Sequence, residues 1–214
     1  MSTILERLES LTSDSEQEPE LSFESDEEQI SDVKVENVVA TATLDHKMDL
    51  PSIYKAIKIT EYNPEKFPGV ILRLKRPKTS TLIFRTGKMV CTGARSEREA
   101  QSAIRKVVRL LKSNGIIILN NPKIDIVNIV ASGNMGEGID LERASRKMEN
   151  VMYEPEQFPG LIYRMKEPKT VILLFASGKI VCTGAKREKQ VYNAVEKLST
   201  ILEEKDLFYT RWSS

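Results

Sequence analysis

Four phenylalanines stand at the ends of two nearly identical segments, and their type and spacing indicate a chemistry of binding. The segment FPGVILRLKRPKTSTLIF runs from Phe67 to Phe84, and FPGLIYRMKEPKTVILLF runs from Phe158 to Phe175. An exposed phenylalanine ring can act as a wedge between base steps in the DNA minor groove, although the same rings can also pack in a core. The Pro-Gly pair after the first ring of each segment predicts an exposed tight turn, which favours the wedge.

Amide and basic side chains accompany these rings in a pattern that fits the outer face of a sheet. Strand alternation in KMVCTGA, residues 88–94, directs Met89 and Cys91 to one side, where we expect the helices. The other side carries valine, threonine, leucine, asparagine and phenylalanine, with arginine and lysine around them. A large apolar patch with a basic rim is typical of a partner surface. Its few bidentate groups suit the minor groove, where A·T pairs offer only acceptors.

Residue types that carry catalysis or bind metals are sparse. His46 is the single histidine, and neither Cys91 nor Cys182 has a base nearby in the sequence. The segment GNMGEG at 133–138 has the spacing G-x-x-G-x-G, which differs from the dinucleotide-binding fingerprint. We therefore expect no enzymatic activity, no metal and no cofactor, and we expect two buried thiols. A duplicated α+β enzyme acting on nucleic acid is an alternative, which paired acids in a pocket would support.

The chain is an internal duplication from residue 33 onward. Phe67 corresponds to Phe158, an offset of 91 residues, and the same offset relates VCTGA at 90–94 to VCTGA at 181–185 without any insertion. Two copies of this length indicate a pseudo-symmetric pair of units rather than a solenoid. We predict a first repeat over residues 33–120 and a second repeat over residues 121–214.

Each copy predicts a strand, a helix, three strands, a second helix and a closing strand. Asp49 and Asp140 stand at the expected N-caps of the first helices, and SERE at 96–99 is a capping box for the second helix of the first copy. Gly115 is expected to end that helix, and IIIL at 116–119 is the expected closing strand. This order predicts an α+β fold in which an antiparallel sheet carries its helices on one face.

Charge is distributed unevenly along the chain. Residues 1–32 hold eleven acidic residues and one basic residue, Arg7, whereas residues 33–214 hold 31 Lys or Arg against 20 Asp or Glu. The first segment is predicted to be a disordered acidic tail, although residues 4–11 also have the spacing of a partner-binding helix. The basic remainder favours a polyanionic partner. No apolar run is long enough for a membrane span, and the absence of a signal peptide and of a disulfide framework favours an intracellular location.

Five motifs together resemble the family of TATA-box-binding proteins, the saddle-shaped initiation factors of archaea and eukaryotes. They are NVV at 37–39, EYNPEKFPGVILR at 61–73, LIFRTGKMVCTGA at 82–94, YEPEQFPGLIYRM at 153–165 and LLFASGKIVCTGAK at 173–186. The resemblance extends over about residues 33–210, nearly everything except the acidic tail. It implies a pseudo-twofold saddle of two tandem repeats, with a curved antiparallel sheet and with helices on the convex face.

The resemblance also implies a role for individual residues. Two phenylalanine pairs correspond to wedges and two asparagines to a central pair that hydrogen-bonds minor-groove acceptors. The valines and threonines correspond to residues packed along the groove floor, and the arginines and lysines to a phosphate-facing rim. The residues implied to contact DNA are Asn37, Val39, Phe67, Arg73, Lys78, Leu82, Phe84, Lys88, Val90, Thr92, Asn128, Val130, Phe158, Pro159, Arg164, Lys169, Leu173, Phe175, Lys179, Val181 and Thr183. Glu154 and Glu156 fall in the loop at which the family meets the B-type initiation factor.

The function implied by the resemblance is that of a general transcription initiation factor. Such a factor binds the minor groove of A/T-rich, TATA-type promoter DNA, bends it by phenylalanine wedging and nucleates the preinitiation complex. The implied partners are promoter DNA, the B-type initiation factor and, indirectly, RNA polymerase, with a monomeric DNA-bound form and no membrane partner. The implied location is the archaeal cytoplasm or the eukaryotic nucleus. A protein-interaction scaffold that uses the same surface without DNA is the alternative.

Overall fold

A computed structural model describes residues 33–209 of the 214-residue chain. The predicted acidic tail at 1–32, with its helically spaced residues 4–11, lies outside the described residues, as do residues 210–214. Within the described part, the chain forms four helices and one ten-stranded sheet. No helix in this part is long and apolar enough to cross a membrane.

The first repeat contains a strand, a helix, four strands and a long helix. Its strands are β1 (Lys34–Thr43), β2 (Thr60–Glu61), β3 (Gly69–Lys75), β4 (Lys78–Phe84) and β5 (Lys88–Ala94), and its helices are α1 (Leu50–Ala56) and α2 (Glu97–Ser113). The strands coincide with β-branched, alternating sequence such as KVENVVATAT. The two-residue strand β2 is too short to be recognised from alternation.

The second repeat has the same elements in the same order. They are β6 (Lys123–Asn134), α3 (Leu141–Lys147), β7 (Val151–Met152), β8 (Leu161–Met165), β9 (Thr170–Leu174), β10 (Lys179–Ala185) and α4 (Glu188–Glu204). Both helices, β7 and β10 begin and end 91 residues after their counterparts. The duplication of the sequence is therefore also a duplication of the structure.

The sheet is antiparallel throughout and reads the same from either edge. Its strand order is β2-β3-β4-β5-β1-β6-β10-β9-β8-β7, so the pseudo-twofold axis passes between β1 and β6. The register shifts within the pairings of β1, for example between Val35 and Asn37, and within the pairing of β10 with β6. Such bulges bend a strand and increase its twist, and here they lie in the middle of a curved, open sheet. The predicted α+β architecture of two tandem repeats is confirmed.

One face of the sheet is covered by the helices and forms the core. The predicted apolar stripe of α2 is buried, including Ile104, Val107 and Leu111, and packs against β5, β1 and β4. The sheet side chains that meet the helices are Val70, Leu72, Leu74, Met89 and Cys91, all of them buried as expected from strand alternation. Burial of each such large apolar side chain contributes about 1.5–3 kcal/mol relative to leaving it exposed.

The ends of the helices follow the predicted signals with one difference. Ser96 Oγ accepts a hydrogen bond from Glu99 N at 3.0 Å, and α2 ends in a turn in which Gly115 has φ 81°. Asp140 Oδ1 likewise accepts from Arg143 N at 2.9 Å. Asp49 is the N-cap of α1, but its carboxylate accepts from the Ser52 hydroxyl and bonds no backbone N–H. The second helical residue of α1 is a proline, which has no N–H to donate.

The predicted closing strand at 116–119 does not form, so this expectation is wrong. These residues connect α2 to β6 without regular structure, and Ile117 and Leu119 are exposed whereas Ile118 is buried. The reason is topological, because β1 already lies between β5 and β6 and no position beside it is vacant. His46 ties the connection to the end of β1, since its two ring nitrogens lie 2.9 Å from Leu44 O and 3.2 Å from Ile117 O.

Two glutamates join the repeats where the long helices begin. Glu97 Oε1 accepts a hydrogen bond from Glu188 N at 2.7 Å, and Glu188 Oε1 accepts one from Glu97 N at 2.7 Å. Each carboxylate therefore caps the first turn of the other repeat's helix, where free N–H groups favour negative charge. Arg187 Nη1 adds an ion pair to Glu97 at 3.3 Å. We call this group the reciprocal cap.

Candidate nucleic-acid interface

The sheet face that the helices leave uncovered carries the predicted strip of apolar and amide side chains. On β5, Val90 and Thr92 are half-buried, whereas Met89 and Cys91 are fully buried on the helix side. The half-buried members of the uncovered face are Asn37, Val39, Leu82, Phe84, Val90 and Thr92 in the first repeat and Asn128, Val130, Leu173, Phe175, Val181 and Thr183 in the second. We call this surface the concave face. The structure brings all these residues together, and their roles toward DNA stay predictions.

Asparagine and valine alternate across the centre of the concave face. In the ladder between β1 and β6, Asn37 lies opposite Val130 and Val39 lies opposite Asn128. The four residues therefore surround the pseudo-twofold axis. An asparagine of each repeat stands beside a valine of the other, so rotation about the pseudo-twofold axis leaves this arrangement unchanged.

Both asparagine amides are held in one orientation by the neighbouring strand. Asn37 Oδ1 accepts hydrogen bonds from Gly93 N at 2.8 Å and from Thr92 Oγ1 at 3.1 Å. Asn128 Oδ1 accepts from Gly184 N at 2.8 Å and from Thr183 Oγ1 at 3.3 Å. The partners lie 55 and 56 residues further along the chain, and the pattern repeats in both halves.

This arrangement decides what the asparagines can do to a ligand. A backbone N–H can only donate, so the atom facing it must be the amide oxygen, and the NH₂ group must point elsewhere. Neither NH₂ group donates to any residue in the described part of the chain. The centre of the concave face therefore presents two amide donors, which match a surface composed of acceptors.

A pair of phenylalanine rings stands near each outer end of the concave face. Phe67 and Phe84 have ring centroids 5.8 Å apart with an interplanar angle of 59°, and Phe158 and Phe175 have centroids 5.9 Å apart at 67°. Tilted and edge-on pairs at this separation are favourable aromatic contacts. All four side chains are half-buried, so each ring is supported by its partner and still partly exposed.

The glycine of each Phe-Pro-Gly segment makes room for the rings, a role that the sequence alone did not reveal. A Cβ on Gly69 would lie 2.8 Å from Phe67 Cε1, and one on Gly160 would lie 2.7 Å from Phe158 Cε1 and 3.1 Å from Phe175 Cε1. Any larger residue would displace a ring. The equal spacing of phenylalanine and glycine in both copies was the available signal.

The tight turns lie before the first phenylalanines and not at Pro-Gly, which corrects the sequence-based expectation. Phe67 N donates to Asn63 O at 2.9 Å, and Phe158 N donates to Glu154 O at 2.9 Å, closing turns over residues 64–66 and 155–157. Pro159 is exposed just after the second turn. Gly69 begins β3 and Gly160 immediately precedes β8, and both glycines are buried. Glu154 and Glu156 are exposed beside this second turn, and their predicted partner role is untested.

Exposed cationic side chains surround the concave face. The rim residues predicted from the sequence are Arg73, Lys78, Lys88, Arg164, Lys169 and Lys179, all of them exposed. Arg73 differs from the others because its Nε donates to Glu61 Oε1 at 3.0 Å. The hydrogen bond with Glu61, supported by the charge attraction, raises the pKa of Arg73, and the same bond lowers the pKa of Glu61. The role of Glu61 as this partner was not predicted from the sequence.

The thiols lie on the helix side and are unsuited to nucleophilic chemistry. Cys91 and Cys182 are free and buried, as predicted. Burial raises the pKa of Cys91, and it raises the pKa of Cys182 to about 11, so both remain protonated at neutral pH. Within residues 33–209, no group of three or more His, Cys, Asp or Glu side chains is arranged to hold a metal ion.

The fold and this surface define a class of protein. The two repeats form a ten-stranded sheet with helices on one face. The other face carries an apolar strip with amide groups at its centre and basic residues around it. Such a surface is typical of proteins that bind a second macromolecule across a sheet. The duplicated strip and its twofold centre further restrict the class, since they suit a partner that is itself close to twofold symmetric.

Comparison with known proteins identifies the family. The family model described as "Transcription factor TFIID (or TATA-binding protein, TBP)" matches residues 32–114 and 123–205. A TATA-box-binding protein of Pyrobaculum aerophilum is 54% identical over 176 residues, covering 82% of this chain and 88% of that protein. One from Pyrodictium occultum is 57% identical over 164 residues, covering 77% and 82%. The solved structure of Methanococcus jannaschii TBP matches with a TM-score of 0.74 and 43% identity, covering 81% of this chain and 99% of that chain. The chain belongs to the TATA-binding protein family.

Proposed function

We propose that this chain is a general transcription initiation factor that binds the minor groove of A/T-rich, TATA-type promoter DNA and bends it by inserting phenylalanines. The proposal rests on family membership and on the chemistry of the concave face. In this role the chain acts by binding and deformation, and its side chains perform no catalytic step. Of the two locations implied by the resemblance, the archaeal cytoplasm is the one we propose, because the relatives named above come from archaea.

The observation that carries the proposal is the fixed orientation of the central asparagines. Since both amide oxygens are occupied by glycine N–H groups, Asn37 and Asn128 offer only donors to the ligand. The floor of the minor groove at A·T pairs presents only acceptors, adenine N3 and thymine O2. At a G·C pair the guanine amino group is itself a donor, so it cannot form a hydrogen bond with the asparagine donors and would lie against them. The central contacts therefore favour A·T pairs.

The phenylalanine pairs are suited to the bending step. A wedge must be apolar, partly exposed and held in place, and each ring pair meets these requirements through its edge contact and its glycine. Unstacking a base step costs about a few kcal/mol. Burial of the valine, leucine and phenylalanine strip between the two ring pairs against the opened groove offsets that cost.

A binding and bending assay tests the proposal directly. Fluorescence anisotropy would compare a TATA-type duplex with a G·C-rich duplex of equal length, and energy transfer between dyes at the two ends would report bending. We expect tighter binding to the TATA-type duplex and a shortened end-to-end distance in that complex alone. Equal affinity for both duplexes, or binding without shortening, would contradict it. No binding to either duplex would favour the alternative of a protein-interaction scaffold.

The proposed partners follow from the same role. The B-type initiation factor contacts the acidic loop that contains Glu154 and Glu156, and RNA polymerase is recruited through that factor. Both carboxylates are exposed next to the turn that positions Phe158, so a partner can reach them while the concave face is occupied. The complex contains one copy of the chain, because its two repeats already supply both halves of the site.

A further inference from the structure

The two ends of the concave face differ in the surroundings of their equivalent arginines. Arg73 on β3 and Arg164 on β8 are related by the offset of 91 residues, and both are exposed. Arg73 Nε donates to Glu61 Oε1 at 3.0 Å, and its Nη1 donates to Ser80 Oγ at 3.1 Å. Its guanidinium is therefore held by two partners on the neighbouring strands.

Both partner positions are apolar in the second repeat. Met152 stands where Glu61 stands in the first repeat, and Val171 stands where Ser80 stands. The strand register is the same, because Arg73 pairs with Ser80 across β3 and β4 and Arg164 pairs with Val171 across β8 and β9. Within the described residues, Arg164 has no carboxylate within ion-pair distance. The backbone thus offers the two arginines equivalent positions, and only the side chains around them differ.

We propose that Glu61 attenuates the phosphate contact of Arg73, so that the second-repeat end of the concave face holds DNA more strongly than the first. To reach a phosphate, Arg73 must leave a carboxylate that would then lie unpaired near the DNA backbone. Arg164 has no such partner to leave. Because Glu61 and Arg73 are 61% and 56% exposed, water screens their attraction, and the effect is a partial reduction of the contact. This inference rests on the proposed function.

The salt dependence of DNA binding measures this difference. Each phosphate neutralised by a cationic side chain adds roughly 0.9 to the slope of log affinity against log salt concentration. We expect Arg164→Ala to reduce the slope by about that amount and Arg73→Ala to reduce it by less than half as much. The duplex, temperature and salt series are the same for both, and circular dichroism confirms that each variant is folded.

Exchanging the neighbours provides the matched variants. Glu61→Met removes the carboxylate partner of Arg73 and leaves only its bond to Ser80. It should raise low-salt affinity about two- to fivefold, in line with the small energy of an exposed ion pair. In that background, Arg73→Ala should reduce the slope of log affinity against log salt concentration by the full contribution of one phosphate contact, about 0.9. The reciprocal Met152→Glu should lower affinity, and in that background Arg164→Ala should reduce the slope by less than half of about 0.9. Glu61→Gln separates charge from hydrogen bonding, because it can still accept from Arg73.

The outcomes separate this inference from the proposed function. Equal slope reductions for Arg73→Ala and Arg164→Ala in the wild-type background would overturn the inference, as would Glu61→Met with wild-type affinity and slope. In both cases the wild-type chain would still prefer the TATA-type duplex. Loss of that preference in the wild type would instead overturn the proposed function.

Discussion

The first and second repeats share the asparagines, valines, threonines and phenylalanines of the concave face and differ in the charges they carry elsewhere. The asparagines, the phenylalanine pairs and the glycines beside the rings occupy equivalent positions in both. In contrast, α2 contains five basic and two acidic residues, whereas α4 contains two basic and four acidic ones. The turn before the first phenylalanine also differs, with Asn63 and Glu65 in one repeat and Glu154 and Glu156 in the other.

This contrast separates two kinds of contact. A minor groove is close to twofold symmetric in its floor, because A·T and T·A pairs present the same acceptors. A duplicated set of donors and wedges fits that partner from both halves. A protein partner has no such symmetry and can recognise only one charge pattern, so the two outer surfaces are free to diverge. The shared set defines the proposed DNA site, and the unshared charges distinguish the ends of the molecule.

The largest effect is expected from removing a wedge pair. Phe158→Ala with Phe175→Ala should lower affinity for the TATA-type duplex by roughly tenfold or more and reduce bending, because the cost of unstacking is no longer offset. Phe67→Ala with Phe84→Ala is the matched variant and should have a similar effect, since its rings are packed alike. Anisotropy and end-to-end energy transfer measure both quantities. Full bending by a folded double variant would show that these rings are not wedges.

A smaller effect, confined to one repeat, is expected at the acidic turn. Glu154→Arg with Glu156→Arg should leave duplex affinity nearly unchanged and weaken recruitment of the B-type factor by about tenfold, as expected when charge pairs at an interface are reversed. Asn63→Arg with Glu65→Arg changes the equivalent positions of the first repeat and should leave recruitment intact. Gel shifts of the ternary complex provide the comparison. Equal losses of recruitment in the two variants would show that the B-type factor does not bind specifically at the turn of the second repeat.

Much of this fold was predictable because its signals are local. Strand alternation placed Met89 and Cys91 against the helices, and the residues before and after α2 indicated where that helix begins and ends. The closing strand at 116–119 failed because a short apolar run does not reveal whether a sheet has a vacant position. The order of elements along the chain also did not predict that the two repeats meet through β1 and β6.

The parts of the site that escaped prediction depend on long-range contacts. Asn37 could be assigned to the face, but its orientation depends on Gly93, 56 residues away. Glu61 became informative only when its ion pair with Arg73 and its replacement by Met152 were seen together. A comparison of the two copies, position by position, would have exposed that difference in charge, though not the contact.

The smallest effect is expected where the repeats join, at the reciprocal cap. Glu97 accepts from Glu188 N and also pairs with Arg187, whereas Glu188, among the described residues, accepts only from Glu97 N. Loss of a side-chain cap costs about 0.5–2 kcal/mol, and the exposed ion pair adds at most about 1 kcal/mol. Glu97→Ala should therefore lower the free energy of unfolding by about 1–2 kcal/mol, and Glu188→Ala by about 0.5–1 kcal/mol. Urea denaturation measures both values.

The two caps also provide their own control. Glu97→Gln keeps an oxygen that can accept from Glu188 N and loses only the charge, so it should retain most of the stability that Glu97→Ala loses. The double alanine variant should depart from the sum of the single variants, because each glutamate accepts a hydrogen bond from the backbone of the other and residues in contact are coupled. Glu97→Ala with wild-type stability would show that water caps the exposed helix ends equally well. The repeats would then be held together by their other contacts, among them the β1–β6 ladder and the ion pair between Lys123 and Asp45.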